Sequence, residues 1–238
     1  MRVLLGSGGF RTPERIGILQ EQMRSFFGDI ERLLFVPYAL ADHDGYVRMM
    51  TEKGLHAGYV LDGIHRHANA RAAVEQAQGI YVGGGNTFRL LSELYRFDLL
   101  DAIRRRVGDG VPYLGISAGS NVAGPTIKTT NDMPITLPPS FDALGLVPFQ
   151  INPHYFTGQT HVKREDGYHE HYGETRDDRL REFHEMNDPT VVGLWEGGIL
   201  RLEEARLLLV GAAARIFRKG QAPVDVEPGA RLDDLLAG

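Results

Sequence analysis

The sequence predicts an α/β fold: a mainly parallel sheet sandwiched by helices, with an antiparallel addition at its C-terminal end. Through the first half, short apolar runs alternate with helical patterns, which implies βαβ units and parallel strands. Two of those runs pass directly into glycine-rich turns, Gly83-Gly84-Gly85 and Gly115-Ile116-Ser117-Ala118-Gly119. From residue 199 onward the apolar runs follow one another with no helical pattern between them, as antiparallel strands do.

The elements follow in order. Residues 3–5 read as the first strand and 13–27 as a helix. Residues 33–36 are the second strand, 46–53 a helix and 59–61 a weaker strand. Residues 68–78, rich in Ala, Arg, Glu and Gln, form a helix by propensity and spacing. Residues 80–82 are a strand, 87–94 and 99–107 helices, and 113–116 a strand running straight into Ser117. Residues 126–139 are polar and proline-rich, so a loop with a short hairpin is expected. Residues 149–152 lead as a strand to Pro153-His154. Residues 159–174, rich in His, Glu and Gly, predict a long excursion. Residues 175–186 predict a helix capped by Thr175, with Asp177 and Asp178 in the favoured first turn. Residues 191–194 are a buried strand. Residues 199–202, 206–210 and 214–218 are antiparallel strands, and 229–236 a short tail. No repeat, linker or low-complexity segment interrupts the chain, so one domain over residues 1–238 is expected.

Composition narrows the function. Lys plus Arg number 26 against 31 Asp plus Glu, a formal charge of −5. That balance lacks the concentrated positive footprint that nucleic acid requires. There is no cysteine, which excludes a disulfide framework, a thiolate zinc site and a cysteine nucleophile. It is also compatible with a reducing cytoplasm. The first apolar run, Val3-Leu4-Leu5, is too short for a signal-peptide core. No window approaches the ~18 apolar residues of a membrane span. A soluble, cytoplasmic protein is expected, with no nucleic-acid or membrane partner, no cofactor and an oligomeric state that the sequence leaves open.

The sharpest chemical signal is Gly115-Ile116-Ser117-Ala118-Gly119 between a strand and a helix. This fits the nucleophile elbow, in which a serine on a strained turn exposes its hydroxyl above the sheet edge. The Ala118 N–H, at the helix start, can then face a developing oxyanion. The bland alternative is a βα turn with an incidental serine. The turn after Val82 lacks a following Gly-Lys-Ser/Thr and the Gly-x-Gly-x-x-Gly spacing, so a phosphate loop is disfavoured. A second oxyanion donor from Gly85, or a plain tight turn, remains.

A serine nucleophile needs a base. Of nine histidines, His154 follows Gln150-Ile151-Asn152-Pro153 at a strand end, on the edge where catalytic groups of α/β sheets gather. The orienting carboxylate is Glu196, in Leu194-Trp195-Glu196-Gly197-Gly198, or Asp132, in Thr130-Asn131-Asp132-Met133-Pro134. The order Ser, His, Glu is not the Ser, acid, His order of α/β-hydrolases. By analogy it matches class I glutamine amidotransferase-like (flavodoxin-like) folds.

Six motifs now carry a family resemblance. Val82-Gly83-Gly84-Gly85-Asn86-Thr87-Phe88, Gly115-Ile116-Ser117-Ala118-Gly119-Ser120-Asn121, Thr129-Thr130-Asn131-Asp132-Met133-Pro134-Ile135, Phe141-Asp142-Ala143-Leu144, Gln150-Ile151-Asn152-Pro153-His154 and Gly173-Glu174-Thr175-Arg176 resemble the peptidase E family in sequence and order. The likeness spans roughly residues 30–200, and six ordered motifs leave little room for chance. It implies an aspartyl dipeptidase that cleaves dipeptides with an N-terminal aspartate. It implies Ser117 as nucleophile, His154 as base and Glu196 as third member, with Asp132 listed as catalytic in some accounts of the family. Asp132 would alternatively hold the substrate's α-ammonium. Arg176 would pair with the substrate's Asp carboxylate, and Asn86 is a further candidate substrate contact.

The chain also departs from the family. The segment 155–172 is longer than expected and carries His161, His169 and His171 beside Glu165, Asp166 and Glu170. His169-x-His171 has chelating spacing, but a mobile, solvated lid is the expectation, with no metal. Ser120 stands where the family has alanine, and no catalytic role is expected for it. Two rival functions stay open: a cyanophycinase-like β-aspartyl hydrolase, and a non-catalytic binder of acidic peptides.

Overall fold

The computed structural model describes residues 1–158 and 160–237, and of His171 the backbone alone. Seven helices and thirteen strands lie within them. The first half alternates as β1 (Arg2–Gly6), α1 (Pro13–Phe27), β2 (Arg32–Val36), α2 (His43–Glu52), β3 (Val60–Gly63), α3 (Ala70–Gln76), β4 (Ile80–Val82), α4 (Thr87–Arg96), α5 (Leu100–Gly108), β5 (Tyr113–Ile116) and α6 (Ala118–Asn121). The second half runs β6 (Gln150–Tyr155), β7 (Thr160–Arg164), β8 (Gly167–His171), α7 (Arg176–Met186), β9 (Val191–Trp195), β10 (Ile199–Glu203), β11 (Arg206–Val210), β12 (Ala214–Phe217) and β13 (Val224–Val226).

The seven-stranded sheet has the order β11-β10-β1-β5-β4-β2-β3. Its pairings β1–β5, β5–β4, β4–β2 and β2–β3 are parallel, while β10 and β11 add to the β1 edge antiparallel. Strands β3-β2-β4-β5 therefore follow the flavodoxin-like pattern, with β1 beside β5. A second, four-stranded sheet has the order β13-β12-β9-β6. Strand β12, antiparallel as the sequence predicts, belongs to this second sheet. Strand β6 runs parallel to β9, and β12 and β13 add antiparallel.

Side chains alternate across the first sheet, as a strand's period of two requires. Val3 and Leu5 join Val74, Leu91 and Ile103 of α3, α4 and α5 on one face. Leu4 joins Leu19, Met23 and Phe26 of α1 and Met50 of α2 on the other. The first of these cores continues into the second sheet through Ile151, Val192, Leu194 and Ile216.

The helix starts are capped as their sequences suggest. The hydroxyl of Thr12 accepts from Arg15 N–H, and Pro13 fills the first turn of α1. Asp42, Asn69 and Asn86 cap α2, α3 and α4. Thr175 and Asp178 form a reciprocal capping box on α7.

The loop 126–139 forms no hairpin, and an isolated bridge from Thr126 to Asp142 closes it. The excursion after β6 contains the hairpin β7–β8, with β7 exposed throughout and a two-residue turn joining Arg164 to Gly167. Gln159, and the side chain of His171 with its chelating spacing, lie outside the described residues, as does Gly238. The tail is not loose. Leu232 and Leu235 are buried in the core, and Asp233 accepts from the Leu207 amide. No helix among the described residues is long and apolar enough to cross a membrane.

Candidate active site

Strand β5 ends at Ile116, and at Ser117 the backbone turns sharply, with φ 55° and ψ −110°. A non-glycine residue holds such a conformation only where its surroundings enforce it. Ser117 N–H donates to Gly6 O at 2.9 Å, and Ser117 O accepts from the amides of Ser120 and Asn121. Close approach of α6 to the sheet fixes the glycines: a Cβ at Gly119 would collide with the Val82 carbonyl, and one at Gly115 with the Gly119 carbonyl. The buried Ser120 hydroxyl lies 2.7 Å from both the Gly6 and Gly115 carbonyl oxygens, tying the ends of β1 and β5 together.

His154 reaches the serine from the other sheet. Its residue breaks the β6–β9 register and takes φ 55°. Nε2 lies 2.7 Å from Ser117 Oγ, and Nδ1 lies 2.8 Å from Glu196 Oε1. Glu196 directly follows β9. Its carboxyl is held below the usual range, first by the hydrogen bond from His154, with Arg15 and Arg11 adding attraction against the cost of burial. The three side chains, 117, 154 and 196, thus form one hydrogen-bonded chain.

The turn after β1 supports this chain. Ser7, fully buried, accepts the His154 amide N–H on its Oγ at 2.8 Å and donates to Leu194 O at 2.8 Å. Gly8 and Gly9 lie against the imidazole and the carboxylate, so that a Cβ on either would run into His154 or Glu196. The sequence reading missed this turn. Its signal was a glycine-rich stretch, Gly6-Ser7-Gly8-Gly9, at the C-terminal end of the first strand.

Ser117 and His154 face a cavity of about 920 Å³ together with Gly84, Gly85 and Asp132. Gly84 packs against the nucleophile, where an added Cβ would stand 3.0 Å from Ser117 Cβ. Gly85 has φ 133° at the end of the same turn. Ala118 is the first residue of α6, so its amide has no intrahelical acceptor.

Asp132 and Asn86 are placed differently from one expectation each. Asp132 makes no hydrogen bond to His154 among the described residues. Its Oδ2 instead accepts from Thr87 N–H at 2.7 Å, Thr87 Oγ1 at 2.6 Å and Thr130 Oγ1 at 3.2 Å. Asn86 uses its Oδ1 to cap α4 through Arg89 N–H and its Nδ2 to hold Met133 O at 2.9 Å, so it braces the Asp132 loop rather than facing the cavity. Arg176, at the start of α7, lies with its guanidinium 5.5 Å from the Phe156 ring centre. Burial lowers its pKa, Arg179 adds to that, and Asp132 opposes it. Its buried Nε has no hydrogen-bond partner among the described residues.

Comparison with known proteins decides the lineage. The family described as Peptidase family S51 matches residues 3–210. This chain belongs to peptidase family S51. A "Peptidase E" of Streptomyces coelicolor is 50% identical over 209 residues, covering 86% of this chain and 82% of its own. A "Probable alpha-aspartyl dipeptidase" of Drosophila melanogaster is 43% identical over 222 residues, covering 92% and 89%. The crystal structure of a peptidase from an acI-B1 Actinobacterium superposes with a TM-score of 0.66 at 18% identity, covering 97% and 96%. That likeness speaks for the fold alone. The S51 match takes in β1 to β11 and so includes Ser7, Ser117, His154 and Glu196.

Proposed function

We propose that this protein is a serine-type dipeptidase that hydrolyses dipeptides with an N-terminal aspartate. One observation carries the reading: the unbroken chain Ser117 Oγ, His154 Nε2, His154 Nδ1, Glu196 Oε1, opening on a cavity. The names of the S51 relatives support the aspartyl specificity.

His154 Nε2 takes the Ser117 proton as Oγ attacks the scissile carbonyl. Glu196 holds the Nδ1–H tautomer and stabilises the imidazolium that forms. The Gly85 and Ala118 amides receive the oxyanion, a contribution of about 10²–10³ in turnover for each donor. His154 then returns the proton to the leaving amine. Water, deprotonated by the same imidazole, hydrolyses the aspartyl ester. Asp132, its Oδ2 already fixed by three donors, turns Oδ1 to the substrate's α-ammonium. Arg176 takes the substrate's β-carboxylate, for which a guanidinium's paired N–H groups are suited.

The test is hydrolysis of Asp-Leu by wild type and Ser117→Ala. The variant should lose at least about 10⁴-fold in kcat, the scale seen when a triad nucleophile is removed. Turnover retained by Ser117→Ala would end this reading.

A further inference from the structure

The cavity at Ser117 has two chemically different ends. Asp132 lies on the α4 side, where it binds Thr87 at the helix start. The remaining lining comes largely from the opposite face of the sheet: Phe10, Ile16, Leu19, Tyr46, Met49, Met50 and Leu55. The cavity therefore bends over the C-terminal edge of the sheet, with the nucleophile between a polar end and an apolar end.

Two features mark the apolar end as a place for a ligand. Tyr81 is fully buried and borders the cavity, yet its hydroxyl has no hydrogen-bond partner among the described residues. In a closed core such a group is nearly always paired. Arg11 and Lys53, also on the lining, are exposed and enter no ion pair among the described residues. Arg11 follows the Gly8-Gly9 turn and lies close enough to Glu196 to help hold its carboxyl down.

We propose that the apolar end is the leaving-residue subsite: it receives a large apolar side chain, with the dipeptide's free carboxylate at Arg11. This rests on the dipeptidase reading above. If the N-terminal aspartate occupies the end that holds Asp132, the residue released must lie toward Phe10, Tyr46 and Met49. A side chain of leucine or phenylalanine size then loses its water against them, and that burial favours large apolar residues by about 10–100-fold. A peptide continuing past the second residue lacks the carboxylate that Arg11 would meet.

The experiment measures kcat/KM for Asp-Gly, Asp-Ala, Asp-Leu and Asp-Phe, and for Asp-Leu against Asp-Leu amide. Wild type should prefer Asp-Phe over Asp-Gly by about 10–100-fold, and the free acid over the amide by about tenfold or more. Met49→Asp should collapse the Asp-Phe to Asp-Gly ratio, and Arg11→Gln the acid to amide ratio. Met49 and Arg11 are both only partly buried or exposed, so the variants should fold. A flat Asp-X series, or ratios unmoved in both variants, overturns the subsite while leaving the dipeptidase reading standing. Absence of turnover on every Asp-X dipeptide overturns both.

Discussion

Ser7 shows how a residue away from the reacting atoms can hold the geometry. His154 carries φ 55° within a strand, a strained state for a non-glycine residue. Its amide is anchored on Ser7 Oγ, which is itself anchored on Leu194 O. Ser7→Ala removes the acceptor and frees the imidazole to drift from Ser117. Misplacement of about 1 Å costs on the order of 10² in rate. The variant should lose about 10²-fold in kcat with KM little changed, in steady-state kinetics on Asp-Leu, whereas simple loss of folded protein would leave the kcat of the active fraction intact. Glu196→Gln tests the other side of the imidazole. A glutamine can present its N–H₂ to Nδ1 and select the wrong tautomer, so kcat should fall by about 10³–10⁴-fold with the fold preserved. Ser117, His154 and Glu196 were legible in the sequence because each lies at or just past the end of a strand, close to glycine or proline. Ser7 was not, since the need for it arises from the backbone angle of His154, 147 positions away.

At the scale of elements, the helices were more legible than the irregular segments. Helix α1 was expected near residues 13–27 and spans Pro13–Phe27, with Thr12 as its cap and Pro13 in its first turn. The hairpin β7–β8 was not foreseen as strands. Every residue of β7 is exposed, so no apolar face imposes a period of two. Asn86 was expected to contact substrate, although an Asn just before a helix is first a cap, and here it caps α4. Helix α7 offers a pH test. The Asp178 carboxyl is lowered to about 2 from 3.8, first by the Thr175 hydroxyl, then by the Thr175 amide and Arg181. A depressed folded-state pKa contributes stability above 3.8 and loses it as pH falls through about 2. Asp178→Asn should therefore flatten the pH dependence of the unfolding free energy between about pH 4 and pH 2. Urea titrations across that range read it, and an unchanged slope would show that the capping box carries no linked proton.

For the whole molecule, the two sheets matter most. Ser117 follows a strand of one sheet, while His154 lies near the end of β6 and Glu196 follows β9 in the other, so their meeting depends on how the sheets pack. The sequence reading recognised strands at 149–152 and 191–194 but assigned them to no sheet, and both lie in the second one. Which sheet a strand joins is decided by long-range pairing that no local pattern records. The same lesson applies to the C-terminal tail, read as a short appendage. Leu209 and Leu232 pair by backbone hydrogen bonds with the tail and β11, and Leu235 is buried in the core that reaches both sheets. Truncating Leu235 would leave a cavity in that shared core and should cost about 2–5 kcal/mol. Leu235 does not line the Ser117 cavity. Leu235→Ala should therefore lower the urea midpoint without changing the kcat of folded enzyme on Asp-Leu. Fluorescence-monitored unfolding beside active-site titration checks both halves. A lower kcat per active site would mean instead that the tail helps set the packing of the two sheets, and with it the distance from Ser117 to His154.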